Sequence, residues 1–462
     1  MSLWSAHEIA AATGGEAHGA FSASGVTFDS REVGPGDLFI ALSGETTDGH
    51  RFVAQAFEQG AAGVLVSRPV DGPHVRVADT MAALEAMARA ARARTSARII
   101  GVTGSVGKTG TKEALHAALD RAEPGQAHKS VKSYNNHTGV PLSLSRMMAD
   151  CRFGVFEMGM NHAGELAALT RIVRPHIALV TTIAPAHTAF FPSVEAIADA
   201  KGEIFQGLEP GGTAIIPFDS PHRDRLIAAA RPYAGRIVTF GMGEGADVRA
   251  VEVVASPTGS SFVLATLGER ELGFTLGQPG AHWVANAMGV LAAVEAAGGD
   301  LAQAGLALAE LGGLPGRGAQ HDVPIADGGT ARLIDESYNA NPASMRATLQ
   351  VLAATPATRR IAVLGDMREL GADSDDYHAA LAGPVVEAGV NHAILVGDGM
   401  AALAKALEGR VELVHVPRAA EAGAALDAVL AAGDAVLVKG SNGVGLSAVV
   451  AALVKRRQPC SI

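Results

Sequence analysis

The stretch between Ala97 and about Ala122 constrains this chain more than any other. An apolar run, RIIGV, leads into the glycine-rich segment GVTGSVGKTGT at 101–111, and an amphipathic segment carrying Leu115, Ala118 and Leu119 follows. A buried strand, a tight glycine turn and a helix in that order form one unit of an α/β layer. The helix N-terminus then aims its unsatisfied N–H groups past the end of the strand, where they attract an anion. Glycines let the backbone approach a phosphate closely, Lys108 supplies charge for the β and γ groups, and the Thr109 hydroxyl suits Mg2+. The nucleotide-binding stretch is therefore Gly104, Ser105, Val106, Gly107, Lys108, Thr109 and Gly110. The common spacing G-x-x-x-x-G-K-[ST] would place glycine where Val102 stands, so the loop is a variant.

Further apolar runs, FGVFEM and HIALVTTI, alternate with helical segments, which predicts a mostly parallel sheet covered on both faces. Before it, VTFDS, DLFIAL and GVLV read as short strands of a small α/β unit, and a helix from about Thr80 to Arg94 joins the two. The segment 211–276 has more strand and turn character. Gly312, Gly313, Pro315, Gly316 and Gly318 then cluster as in a hinge, and beyond them ARLID, IAVLG, HAILVG, VELVHV and AVLVKG, each followed by a helical segment, predict a Rossmann-like unit. With 462 residues, three domains are expected: 1–95, 96–313 and 314–462.

Composition narrows the function. Lys and Arg total 37 against 47 Asp and Glu, a net charge of -10 that leaves no electrostatic footprint for nucleic acid or an anionic membrane. Two cysteines are too few for a disulfide framework, and no apolar stretch approaches the length of a membrane span, so a cytoplasmic protein that does not insert into membranes is expected. A phosphate-loop ATPase acting on a partner would share Lys108 and Thr109, and a nucleotide-sugar-binding module could use the N-terminal unit, but neither needs all three parts.

The pattern G-x-T-G-x-x-G-K-T at 101–109 resembles the phosphate loop of the Mur ligases and folylpolyglutamate synthetases. SYNNHTGVPLSL, FEMGMNHAGE, AKGEIF and DESYNANPASM place the resemblance in the Mur branch, over essentially the whole chain. DESYNANPASM is similar to the members that add D-alanyl-D-alanine. Members that add one diamino acid, the nearest rival reading, carry an Asp-Tyr-Ala-His-x-Pro segment there. The resemblance implies a small N-terminal α/β domain for the UDP-linked substrate, a central mononucleotide-binding parallel sheet and a Rossmann-like C-terminal domain. It also implies an ATP- and Mg2+-dependent ligase, expected to be a monomer, that joins D-alanyl-D-alanine to UDP-N-acetylmuramoyl-tripeptide through an acyl phosphate.

Residue roles follow from that resemblance. Lys108, Lys201, His187 and Asn136 are expected at the chemistry, and Thr109, Glu157, His187 and Lys201 at the metal, with Lys201 a candidate for carbamylation by CO2. Lys201 is also unusual on the sequence alone, since it shares the apolar side of a helical segment with Ile197, Ala198, Ile204 and Phe205. Glu157 ends an apolar run, the edge at which open α/β sheets bind ligands. His282, Asn286, Arg317, Asp335 and Asn339 are expected to meet ATP, although Trp283 replaces an asparagine usual next to His282. Ser30, Arg31, Asp48 and His50 are expected to hold the UDP end of the acceptor.

Overall fold

The computed structural model describes residues 2–44, 47–186, 188–256, 259–325 and 328–455. Besides a two-stranded pair of Trp4–Ser5 with Ser22–Ala23, three larger sheets follow one another along the chain among the described residues. The first has five strands, in the order Glu16–His18, His74–Arg76, Gly63–Val66, Asp37–Ile40 and Gly25–Thr27, all parallel except the outermost pair at Glu16–His18. The central sheet has nine. Val248–Ala255, Arg236–Gly241, Thr213–Pro217, Ile177–Val180, Arg98–Thr103, Phe153–Glu157 and Ala127–Lys129 run parallel, and Ser261–Leu267 with Arg270–Leu276 extend one edge as an antiparallel meander. The third sheet has six strands, parallel apart from the edge strand Ala319–Pro324.

The inner strands Ile177–Val180, Arg98–Thr103 and Phe153–Glu157 are mostly apolar and buried because helices cover both faces of the sheet there. Ile100, Val102 and Val155 point into a cluster with Leu115, Leu119 and Leu291, while Ile99 and Phe156 point into another with Leu144, Ile197 and Phe205. Helix Thr80–Ala93, capped by Asp79, which accepts from Met81 and Ala82 N–H groups, serves two cores. Leu84, Met87 and Ala91 pack with Ile9, Leu38 and Leu65 of the first lobe, and Ala88 packs with Ile99 and Phe156 of the second.

Polar staples fix that junction. The Arg94 guanidinium lies 3.9 Å over the Trp4 ring, the Trp4 indole N–H donates to Ser145 O (2.8 Å), and Arg92 donates to Val173 O (2.9 Å). The C-terminal lobe reaches back by a different route. Ala189 N–H donates to Glu369 O (3.0 Å) and the Thr188 hydroxyl to Leu370 O (2.9 Å), forming a backbone latch between the middle lobe and the loop after Arg359–Gly365. No helix among the described residues is long and apolar enough to cross a membrane.

Candidate active site

The phosphate loop leaves the central strand Arg98–Thr103 and ends at helix Lys108–Ala122. Its shape is imposed by the neighbouring strand Ile177–Val180. Just beyond that strand, Thr181 Oγ1 sits 2.5 Å from Val106 O and 3.2 Å from Thr103 O, and Ser105 N–H donates to Thr182 O (2.7 Å). Gly104 has φ 149°, and a Cβ there would collide with the Thr181 hydroxyl, so the glycine is required by close approach as well as by conformation. Thr181 carries no motif signature; only the adjacency of parallel strands brings it here. The Trp283 indole packs where a Cβ on Gly110 would stand, 2.8 Å away, so the substitution of the usual asparagine closes one side of the loop with an aromatic wall.

At the floor of the site, the Thr109 hydroxyl donates to one oxygen of Glu157 (2.8 Å) and the Asn135 amide to the other (2.8 Å). Glu157 is 1 % exposed and its own N–H donates to the Ser130 hydroxyl (2.9 Å), so the carboxylate is fixed at the end of strand Phe153–Glu157. Lys108 bends back to donate to Gly104 O (2.7 Å). Burial holds its amine below the ordinary lysine value, Glu157 opposing that and nearby Arg317 adding to it.

Lys201 is among the described residues that depart from the rule that buried polar groups are paired, and it is one whose orphaned group is an amine. It is 0 % exposed on helix Val194–Gly202, and its Nζ has no hydrogen-bond partner. Burial, then Lys108, push its pKa well below the lysine range, against the pull of Glu157, Glu165 and Glu203.

The C-terminal lobe supplies the opposite wall of a cleft of about 310 Å3. Arg317, in the hinge, stacks 4.0 Å over the Tyr338 ring and reaches Ser133 Oγ at 3.4 Å. Glu336 and Lys439 face the same cleft from adjacent parallel strands, 3.4 Å apart, and the lysine also donates to Asn339 O (2.9 Å). Burial raises the Glu336 carboxyl and lowers the Lys439 amine, so each moves towards its neutral form. His282 and Asn286, one turn apart on helix Ala281–Ala297, complete the cleft; burial and then Lys439 hold His282 at about 4, which keeps its ring neutral.

Comparison with known proteins agrees with this three-lobed arrangement. Family models described as the Mur ligase family catalytic domain, the Mur ligase middle domain and the Mur ligase glutamate ligase domain match residues 22–96, 102–294 and 324–442. The UDP-N-acetylmuramoyl-tripeptide--D-alanyl-D-alanine ligase of Escherichia coli (strain K12) is 37 % identical over 396 residues, covering 85 % of each chain. The chain belongs to the Mur ligase family. A crystal structure of MurF from Acinetobacter baumannii superposes with a TM-score of 0.84 at 32 % identity, covering 98 % of this chain and 99 % of that one. MurF ligase from Thermotoga maritima, solved in complex with ADP, superposes with a TM-score of 0.77 at 25 % identity, covering 94 % and 97 %.

In this Mur ligase several residues expected at the site stand elsewhere or have other work. Asn136 is not the asparagine that meets Glu157. Its side-chain oxygen accepts from Thr138 and Gly139 N–H groups at the start of helix Gly139–Ser145 and it lines the cavity beside the cleft, while its neighbour Asn135 reaches the carboxylate. Asp335 does not face the cleft either. It accepts from Gly316 N–H (2.7 Å) and from the Ser337 hydroxyl (2.6 Å), bracing the hinge. Successive strand residues point to opposite faces, so at the end of strand Thr330–Glu336 only one of the two acids could line the cleft, and it is Glu336.

His50 is buried and its ring is used up. Nδ1 lies 2.7 Å from Asp48 Oδ1 and Nε2 accepts from Ser67 N–H (2.9 Å), which ties Asp48 and His50 to the end of strand Gly63–Val66 and fixes the ring's orientation. Asp48 also receives Arg68 (2.8 Å), and the His50 backbone and ring hydrogen bonds hold its carboxyl at about 2. Arg31, expected with Ser30 at the UDP end of the acceptor, forms a bidentate pair with Asp29 on the surface of the first lobe. His187 lies outside the described residues.

Proposed function

We propose that this chain is an ATP-dependent ligase that joins D-alanyl-D-alanine to UDP-N-acetylmuramoyl-tripeptide in peptidoglycan precursor synthesis, releasing ADP and phosphate. The observation that carries the reading is the hydrogen-bonded set Thr109, Glu157 and Asn135 beneath a phosphate loop, facing Arg317 and Lys439 from another lobe. In this reading 1–95 holds the UDP end of the acceptor, 96–313 holds ATP, and 314–462 delivers the dipeptide amine.

Loop N–H groups and Lys108 hold the β and γ phosphates, with Arg317 closing on them from the hinge. His282, Asn286 and Asn339 bound the rest of the nucleotide, and Glu336 takes the ribose hydroxyls in place of Asp335. An oxygen of the tripeptide carboxylate attacks the γ-phosphorus as its bond to the ADP oxygen breaks. The dipeptide amine, having lost a proton, then attacks the acyl carbon and phosphate leaves. This chemistry asks for alignment and charge neutralisation more than for an acid/base pair.

Mg2+ fits the residues present. One hydroxyl and one carboxylate, with room for phosphate oxygens, is the oxygen donor set it prefers. The orphaned amine of Lys201 fits the second half of the proposal, because a buried neutral amine takes up CO2 and a carbamate would place anionic oxygens there. When bound, the metal neutralises charge developing on the transferred phosphoryl group. The test is ADP release by purified enzyme. It should require the UDP-linked tripeptide and D-alanyl-D-alanine together and vanish in Lys108→Ala, whereas release that follows a free diamino acid instead of the dipeptide overturns the reading.

A further inference from the structure

A second cavity, of about 430 Å3, adjoins the nucleotide cleft and shares Asn135, Gly159, Met160 and Asn161 with it. One wall is apolar, made by Leu169 and Ile172 of helix Glu165–Val173. Facing into the same cavity is Glu85, from the helix Thr80–Ala93 that joins the first two lobes. Glu85 is half-buried, and among the described residues nothing pairs with its carboxylate. The other acid at this cavity is committed: Glu165 accepts from Asn161 N–H (2.8 Å) and pairs with His162 (2.9 Å). No Lys or Arg is among the residues lining the cavity.

A carboxylate that lines a cavity without a partner of its own is free to take one from whatever enters. The chemistry of the entrant can be read from the walls: an aliphatic stem against Leu169 and Ile172, and a cation at its end. Position narrows it further. If the ligase reading holds, the carboxylate to be phosphorylated belongs to the third residue of the acceptor peptide and must lie beside Lys108 and Glu157. The side chain of that residue leaves the same α carbon, and the cavity next to Asn135 offers it room.

We propose that Glu85 receives the side-chain ammonium of a diamino acid at the third position of the acceptor peptide and so sets the preference for that class of acceptor. The proposal rests on the ligase reading above. Its test compares two UDP-linked tripeptides, one ending in lysine and one in norleucine, which keeps the stem and lacks the amine. Wild type should prefer the lysine acceptor, and Glu85→Gln should lower the lysine-to-norleucine ratio of kcat/KM about tenfold, as expected for one charged hydrogen bond, mainly through KM. Glu85→Asp should restore part of the ratio, which a role confined to folding would not do. An active wild type with no preference, or a Glu85→Gln ratio equal to that of wild type, overturns this proposal alone. A wild type that turns over neither acceptor overturns the ligase reading as well.

Discussion

Replacing Lys201 by methionine separates what this side chain does for the fold from what it does for the reaction. The amine is fully buried without a partner, so the thioether, similar in length and unbranched, removes a desolvated polar group while filling nearly the same space. An unmatched buried polar group costs about 1–3 kcal/mol. At about 2–4 °C per kcal/mol for a unit of roughly 200 residues, the middle lobe of Lys201→Met should melt several degrees above wild type in CO2-depleted buffer at neutral pH. The sign of the pH dependence follows from the direction of the shift. The folded pKa lies well below the ordinary 10.5, so between the two values the unfolded chain binds the extra proton and wild type gains stability as pH rises. The advantage of the methionine variant should therefore shrink towards pH 10.5 and grow as pH falls. Bicarbonate should raise the melting temperature of wild type, through the carbamate, and leave the variant unmoved. Ligase activity should fall about a thousandfold or more in the same variant, the scale seen when one preorganised charge at a transition state is lost. Calorimetry with and without bicarbonate, beside a coupled ADP assay, reads all of this. A variant less stable than wild type at neutral pH, with bicarbonate acting on both proteins alike, refutes the reasoning.

Asn135→Ala should cut turnover about 10- to 100-fold and raise the Mg2+ concentration needed, because one Glu157 oxygen loses its donor; Asn136→Ala should instead cost about 1 kcal/mol of stability through the hydrogen bonds lost at the start of a helix, and equal kinetic damage from both would contradict the assignment. Gly371 has φ 70° and a Cβ there would lie 3.2 Å from Ala189 Cα, so Gly371→Val should break the latch between middle and C-terminal lobes. The expected result is a larger radius of gyration by small-angle scattering and a fall in kcat that exceeds any loss of ADP affinity; an unchanged radius with unchanged kcat would show that the latch holds nothing.

What could be read from the residues and what could not divides along the range of the interactions. The phosphate loop is local: strand, glycines, Lys108 and helix follow one another within 25 residues or so, and each favours its neighbour. Glu157 and Lys201 were also accessible, one because a carboxylate ended an apolar run and the other because a lysine interrupted an apolar helix face. The choice between Asp335 and Glu336 depended on which face of the sheet meets the hinge, a fact carried by pairing with the strand Asp434–Lys439 a hundred residues later. His50 lies close to Asp48 in sequence, but the Ser67 N–H that meets its second nitrogen comes from 17 residues further on and is set by strand packing. Glu85 was invisible for the same reason, since a solvent-facing acid and a cavity-facing acid on a helix look alike until the helix has neighbours.

That division bears on the chemistry. The loop N–H groups that meet phosphate come from one continuous segment, held in shape by Thr181 and Thr182 of the same lobe. Arg317, Glu336 and Lys439 come from the hinge and the lobe beyond it, and they line the same cleft in a structure in which the latch at Thr188 and Ala189 is made. Nucleotide binding can therefore precede closure, while alignment of the γ-phosphoryl group with carboxylate and amine depends on it. A ligase built this way assembles its full charge-neutralising set only with the lobes together, which keeps ATP from being spent on water.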